Sequence, residues 1–106
     1  MGTALQAERD LIFADCRWFS DSGHAWLQVP LSAAREADQA DKDKGGDGIS
    51  AFSYVTDSWA FLECDCDAAI FIDEFEADDS DRARFNSRGI VVNGPAAIRN
   101  LTHWGA

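Results

Sequence analysis

Cys64 and Cys66 stand two positions apart, with Cys16, His24 and His103 elsewhere in the chain. Thiolates and imidazoles bind zinc, but structural zinc sites place about two to four residues between paired cysteines. A single intervening residue is a weak match to that pattern. A thiol next to a histidine base is also a nucleophile. Here Cys64 and Cys66 fall at a predicted strand-to-helix junction, and a helix N-terminus lowers a thiol pKa. Glu63, Asp65 and Asp67 oppose this, because neighbouring negative charge disfavours the thiolate. No glycine-rich phosphate or oxyanion loop accompanies the thiols. The expectation is therefore small core cysteines, with no catalytic residue, no metal site and no cofactor.

Calcium chemistry meets a similar obstacle. A calcium loop needs alternating oxygen ligands, a glycine at its sixth position and a bidentate Glu at its twelfth. Counting from Asp41 puts Gly46 at the sixth position but Phe52 at the twelfth. Counting from Glu63 gives acids in the right alternation and Glu74 at the twelfth, but Ala68 at the sixth. Neither string is complete.

The strongest chemical signal is charge. The chain has 106 residues and a formal net charge of −10, and the charge is concentrated. Residues 63–81 hold nine acids and no base: Glu63, Asp65, Asp67, Asp73, Glu74, Glu76, Asp78, Asp79 and Asp81. Residues 82–106 hold four arginines (Arg82, Arg84, Arg88 and Arg99) and no acid. A solvated face is the ordinary fate of such a run. Its functional counterpart is a surface for a basic partner. The arginines would pair with the acidic centre of the same chain or of a second copy, the latter implying a homodimer.

Acidity argues against direct nucleic-acid binding, which needs a basic footprint, and against docking on an anionic membrane. No apolar run is long enough to span a bilayer, and no signal-peptide pattern is expected in the first residues. Three cysteines in such a chain suggest reduced thiols in a bacterial cytoplasm. With 46% hydrophobic residues, four Trp and seven Phe, the composition is too apolar for a disordered tail. The length suits a single domain, 1–106.

These residues need elements to position them. Residues 1–9 read as a polar lead-in, and the apolar stretch from Leu11 to Phe19 as a strand. His24 to Val29 alternates with strand period, placing Ala25, Leu27 and Val29 on one face. Pro30 sits near the start of a short Ala-rich helix or turn. Residues 38–48 read as a flexible loop. Ile49–Val55 and Trp59–Cys64 form a predicted hairpin around Thr56-Asp57-Ser58. Asp65 or Asp67 is placed to cap a helix, about 66–77, whose Ala68, Phe71, Ile72 and Phe75 share one face. Asp78 to Ser80 ends it. Gly89–Asn93 reads as a last strand, and Gly94-Pro95 breaks it before a short helix or irregular tail. The expected class is α+β: a small, mostly antiparallel sheet of about four or five strands with one main helix on one face.

Three segments, in this order, carry a resemblance: Gly23-His24-Ala25-Trp26-Leu27-Gln28-Val29-Pro30, Ile49-Ser50-Ala51-Phe52-Ser53-Tyr54, and Phe61-Leu62-Glu63-Cys64-Asp65-Cys66-Asp67-Ala68. They resemble small uncharacterised phage and plasmid proteins with Gly-His-x-Trp-Leu-x-Val-Pro, Ile-Ser-x-Tyr-Ser-Tyr and Tyr-Leu-Glu-x-Asp-Cys-Asp patterns. The likeness covers residues 23–72. Phe52 and Phe61 replace tyrosines, Cys64 replaces a commonly acidic residue, and the 38–48 linker is longer. The resemblance carries no catalytic residues. It implies a mobile-element setting, where small acidic proteins inhibit host defence, as anti-CRISPR and antirestriction proteins do. The expectation is a non-enzymatic inhibitor that offers its acidic residues to the basic nucleic-acid-binding surface of a host protein or CRISPR effector complex. The alternatives are a general interaction module with aromatic contacts through Trp26, Trp59 or Trp104, and a small metal-binding or cysteine-dependent protein.

Overall fold

Strand alternation divides the central sheet into two unlike faces, and this division positions everything else. The computed structural model describes residues 2–92 and 97–105, with side chains from residue 8 onward. The elements, in order, are α1 (Gly2–Phe13), β1 (Arg17–Ser20), β2 (Ala25–Pro30), α2 (Leu31–Asp43), β3 (Tyr54–Val55), β4 (Trp59–Glu63), α3 (Asp67–Glu74), α4 (Asp79–Ser87) and β5 (Ile90–Val91). A 3-10 turn, Ala97–Asn100, precedes β6 (Thr102–His103). The strand order is β5-β1-β2-β4-β3-β6. All pairings are antiparallel except β1 with β5. The class is α+β, and the sheet is mixed.

Side chains opposite each other in a ladder share a face. Trp18 pairs with Leu27 and Leu27 with Leu62, so these lie on the helical side. There Leu27, Val29, Ala60 and Leu62 are packed with Phe13, Cys16, Ala34, Ala37, Phe71 and Phe85. Phe13 meets Phe71 and Phe85 edge-on, at centroid distances of 6.1 and 5.5 Å. Full burial of such a side chain contributes about 1.5–3 kcal/mol. The edge contacts add only about 0.5–1.5 kcal/mol, so burial dominates. The opposite face carries Phe19, Trp26, Tyr54, Trp59 and Phe61, with Ile98 of the 3-10 turn folded onto Trp26 and Phe61.

Arginines hold the C-terminal ends of two helices, α3 and α1, where free carbonyls and the negative dipole end attract cations. Arg9 of α1 donates to the carbonyls of Phe75 (3.0 Å) and Glu76 (2.6 Å), just past α3. Arg88, after α4, donates to the carbonyls of Phe13 and Ala14 at the end of α1.

Several sequence expectations need correction. Residues 2–9 of the lead-in and Leu11 to Phe13 are helical, Met1 lies outside the described residues, and only Arg17–Ser20 of the stretch to Phe19 is strand. A continuous apolar run such as Leu11-Ile12-Phe13 has no period to separate strand from helix. The loop expected at 38–48 is helical to Asp43. The buried stripe of α2 is Ala33, Ala34, Ala37 and Asp38, which is small and polar enough to hide its helical spacing. The hairpin forms around Thr56–Ser58, but its first strand is only Tyr54–Val55. The expected 66–77 helix is Asp67–Glu74, and α4 is an additional helix. Its N-terminus is capped by Asp78, which accepts the Asp81 amide at 2.8 Å while Asp81 accepts the Asp78 amide at 3.0 Å. This is a capping box built from two aspartates. Two helices, α1 and α4, therefore stand beyond the main helix and the short Ala-rich helix or turn expected after Pro30. The last strand is Ile90–Val91; Asn93 and the Gly94-Pro95 break lie outside the described residues.

Candidate binding site

The acids of residues 63–81 have different fates. Asp67 is buried, 1% exposed, and its Oδ2 accepts from the Ser50 amide (3.1 Å), the Ser50 hydroxyl (2.6 Å) and the Ser53 hydroxyl (2.6 Å). Asp81 is 6% exposed, closes the α4 capping box and accepts from Arg84 at 2.7 Å. These two carboxylates hold the fold and are not available to a partner. That corrects their placement among the partner-binding residues. Glu74 pairs with Lys44 at 3.4 Å. Asp65, Asp73, Glu76, Asp78 and Asp79 are exposed.

Four of these exposed acids, Asp73, Glu76, Asp78 and Asp79, lie on the corner between α3 and α4. The corner is a Schellman-type turn: the Glu76 amide donates to the Asp73 carbonyl and the Ala77 amide to the Ile72 carbonyl. Its left-handed position, φ +54°, is filled by Glu76 instead of the usual glycine. Hydrogen bonding from the Asp81 amide holds the Asp78 carboxyl below its ordinary pKa of 3.8, keeping it charged.

The C-terminal arginines are largely used inside the chain. Arg84 pairs with Asp81, Arg88 with the carbonyls beyond α1, and Arg99 with Asp21. Of these described contacts, the Arg84 pair joins the acidic centre.

A cavity of about 580 Å³ opens on the aromatic face of the sheet, within the roughly 300–1,000 Å³ of small-ligand sites. Arg99 aside, every lining residue comes from the three segments that carry the resemblance: His24 and Trp26; Ser50, Phe52 and Tyr54; Glu63, Asp65 and Cys66. The register explains the convergence. Trp26 pairs with Glu63, Phe61 with both Gln28 and Tyr54, and Tyr54 with His103. Below the cavity, the Ser53 hydroxyl accepts the Glu63 amide at 2.9 Å while donating to Asp67. This joins the second and third segments at one buried point.

Polar groups converge on the cavity in a defined order. Arg99 meets Asp21 through two bonds, Nε to Oδ2 at 2.7 Å and Nη2 to Oδ1 at 2.9 Å. The same guanidinium stands 5.3 Å from the Trp26 ring centroid. Its Nη2 is 3.1 Å from His24 Nδ1. A guanidinium only donates, so His24 Nδ1 is the acceptor of this contact. Gly23 permits this approach, since a Cβ there would lie 3.2 Å from Arg99 Nη2. Glu63 accepts the amides of Asp65 (3.1 Å) and Cys66 (3.4 Å), which fixes its carboxylate at the rim. Phe52 is 75% exposed. Sequence reasoning put the aromatic contacts on Trp26, Trp59 or Trp104, but Trp26 is 2% exposed and the other two are half-buried. Among the described Phe, Trp and Tyr residues, Phe52 alone is exposed.

Glu63, Cys64 and Asp65 bring one potential metal-ligand atom each within 4.8 Å of one another. Burial pushes the Cys64 thiol pKa up, and Asp65 and Glu63 push it further. Burial pushes the Cys16 thiol up to about 12. The calcium-like string from Asp41 begins in the last turn of α2. Asp38 accepts the Ile49 amide at 2.7 Å and Asp41 the Gly48 amide at 2.9 Å, closing the turn after α2.

Comparison with protein-family models, curated proteins and solved structures finds no match for this chain. No helix among the described residues is long and apolar enough to cross a membrane.

Proposed function

We propose that this protein is a non-enzymatic inhibitor from a phage or mobile element, acting in the host cytoplasm. It docks by its acidic surface onto the basic nucleic-acid-binding surface of a host defence complex of the CRISPR or restriction type. The observation that carries this reading is the α3–α4 corner, where Asp73, Glu76, Asp78 and Asp79 are all exposed within seven consecutive positions. Glu76 supports it further. A non-glycine residue in a left-handed conformation costs about 1–2 kcal/mol, and here it places a carboxylate on the corner. The resemblance supplies the mobile-element setting.

The mechanism is competition. A CRISPR effector holds nucleic acid in a positively charged channel, and an acidic corner entering that channel excludes the strand by charge and volume. Long-range attraction speeds such association and makes it salt-dependent. The test is capture of a defence complex from bacterial lysate at low and high salt, with wild type and with Asp73→Lys/Glu76→Lys/Asp79→Lys. Asp78 is left intact because it caps α4. Capture at low salt, lost in the variant, supports the reading; equal capture by the folded variant rejects it.

Aromatic contact is the second reading, favoured by one observation: the 75% exposure of Phe52 at the cavity mouth.

A further inference from the structure

The cavity on the aromatic face combines three features that point to one ligand chemistry. Its wall is aromatic, from Trp26, Tyr54 and Phe52. Its rim bears two carboxylates, Glu63 and Asp65. Its lining arginine, Arg99, is already paired through two bonds to Asp21, so it adds little repulsion toward a second cation. The Trp26 ring also already faces a guanidinium, that of Arg99, at 5.3 Å. Rings of this type attract cations within about 6 Å of their centroid. Glu63 spends two of its carboxylate acceptor sites on the Asp65 and Cys66 amides. A carboxylate has about four such sites, so two remain for a donor entering from solvent.

We propose that this cavity seats the guanidinium of one arginine side chain from a basic protein partner, against the rings of Tyr54 and Phe52, with its N–H groups toward Glu63 and Asp65. This rests on the docking proposed above and gives it a point of register: the acidic corner supplies long-range attraction, and the cavity fixes one side chain. A planar, forked donor suits paired carboxylates and aromatic faces better than the compact ammonium of lysine.

The test uses the isolated protein and N-acetyl-arginine amide, with N-acetyl-citrulline amide as the uncharged isostere, followed by NMR of the Trp26 indole and the Tyr54 ring. Saturable shifts are expected with the arginine compound and not with citrulline. Asp65→Asn, at an exposed position, lowers the affinity about tenfold, the scale of one lost bond to a charged group. Phe52→Ala weakens binding too. Absence of saturable shifts with a correctly folded protein, or equal binding of citrulline, overturns the inference. The two readings fail separately. Arginine binding in the cavity alongside undiminished partner capture by the corner variant rejects the corner and keeps the cavity. Loss of capture in the corner variant without arginine binding does the reverse.

Discussion

The Ser53 hydroxyl donates a 2.6 Å hydrogen bond to the buried Asp67 carboxylate and accepts the Glu63 amide at 2.9 Å. One side chain thus joins the end of β4, the start of α3 and the loop before β3. All three border the aromatic cavity. Asp67→Ala removes the acceptor of two hydroxyls and one amide. A buried polar group left without a partner costs about 1–3 kcal/mol, so Asp67→Ala is expected to lose about 3 kcal/mol in urea unfolding. Ser53→Ala is expected to lose about 1–2 kcal/mol, because only the Glu63 amide is orphaned while Asp67 keeps its two bonds from Ser50. A loss near zero for Asp67→Ala would show that the network does not hold the site.

The Asp78 cap gives a pH dependence. Its folded pKa lies below the ordinary 3.8, chiefly through the Asp81 amide. A depressed carboxyl pKa contributes stability above the unfolded value, and that contribution disappears as pH falls through the folded value. Asp78→Asn keeps a capping side chain but cannot titrate. The stability difference between wild type and Asp78→Asn is therefore expected to be constant above about pH 5 and to narrow as the pH drops below the ordinary carboxyl range. A difference that widens toward acid would contradict this.

Glu76 predicts a trade between stability and binding. Glycine accepts its φ of +54° without the steric cost borne by a side chain. Glu76→Gly is expected to raise thermal stability by up to about 1 kcal/mol while weakening partner binding. A variant that is more stable and binds equally well would remove Glu76 from the docking surface.

Turn geometry after α2 offers a purely structural check. Gly48 has φ +75°, and a Cβ there would lie 2.3 Å from Asp38 Oδ1, the oxygen that accepts the Ile49 amide. Gly48→Ala is expected to destabilise by more than about 1 kcal/mol in denaturant unfolding, without changing arginine binding in the cavity.

Much of the sheet was legible because its residues alternate cleanly. Leu27 and Val29 against Trp26 and Gln28 identify β2 and both of its faces. Thr56-Asp57-Ser58 marks the β3–β4 turn, where the Thr56 hydroxyl accepts the Ser58 and Trp59 amides. Ala68, Phe71, Ile72 and Phe75 identify α3 by their helical spacing. The helices that escaped notice lack such stripes. The far half of α2 buries Ala37 and Asp38, and α4 buries only Asp81 and Phe85. For α4 the available signal was Asp78 with Asp81 three residues on, a capping pair read instead as a helix stop. The fate of each acid was not legible at all. Asp67 and Asp65 look alike in sequence, yet one is buried by serines 14 and 17 residues away and the other is exposed. The cavity was equally hidden, because it depends on Trp26 meeting Glu63 across β2 and β4.

The central claim is that exposed acids on the α3–α4 corner compete with nucleic acid for a basic surface. The most direct measurement titrates the protein into a captured defence complex carrying fluorescently labelled nucleic acid, at low and high salt. The account predicts competitive displacement of the nucleic acid, weakened by salt and abolished by Asp73→Lys/Glu76→Lys/Asp79→Lys in a folded protein. Nucleic acid that stays bound at saturating protein, or a variant that displaces it as well as wild type does, would contradict the account.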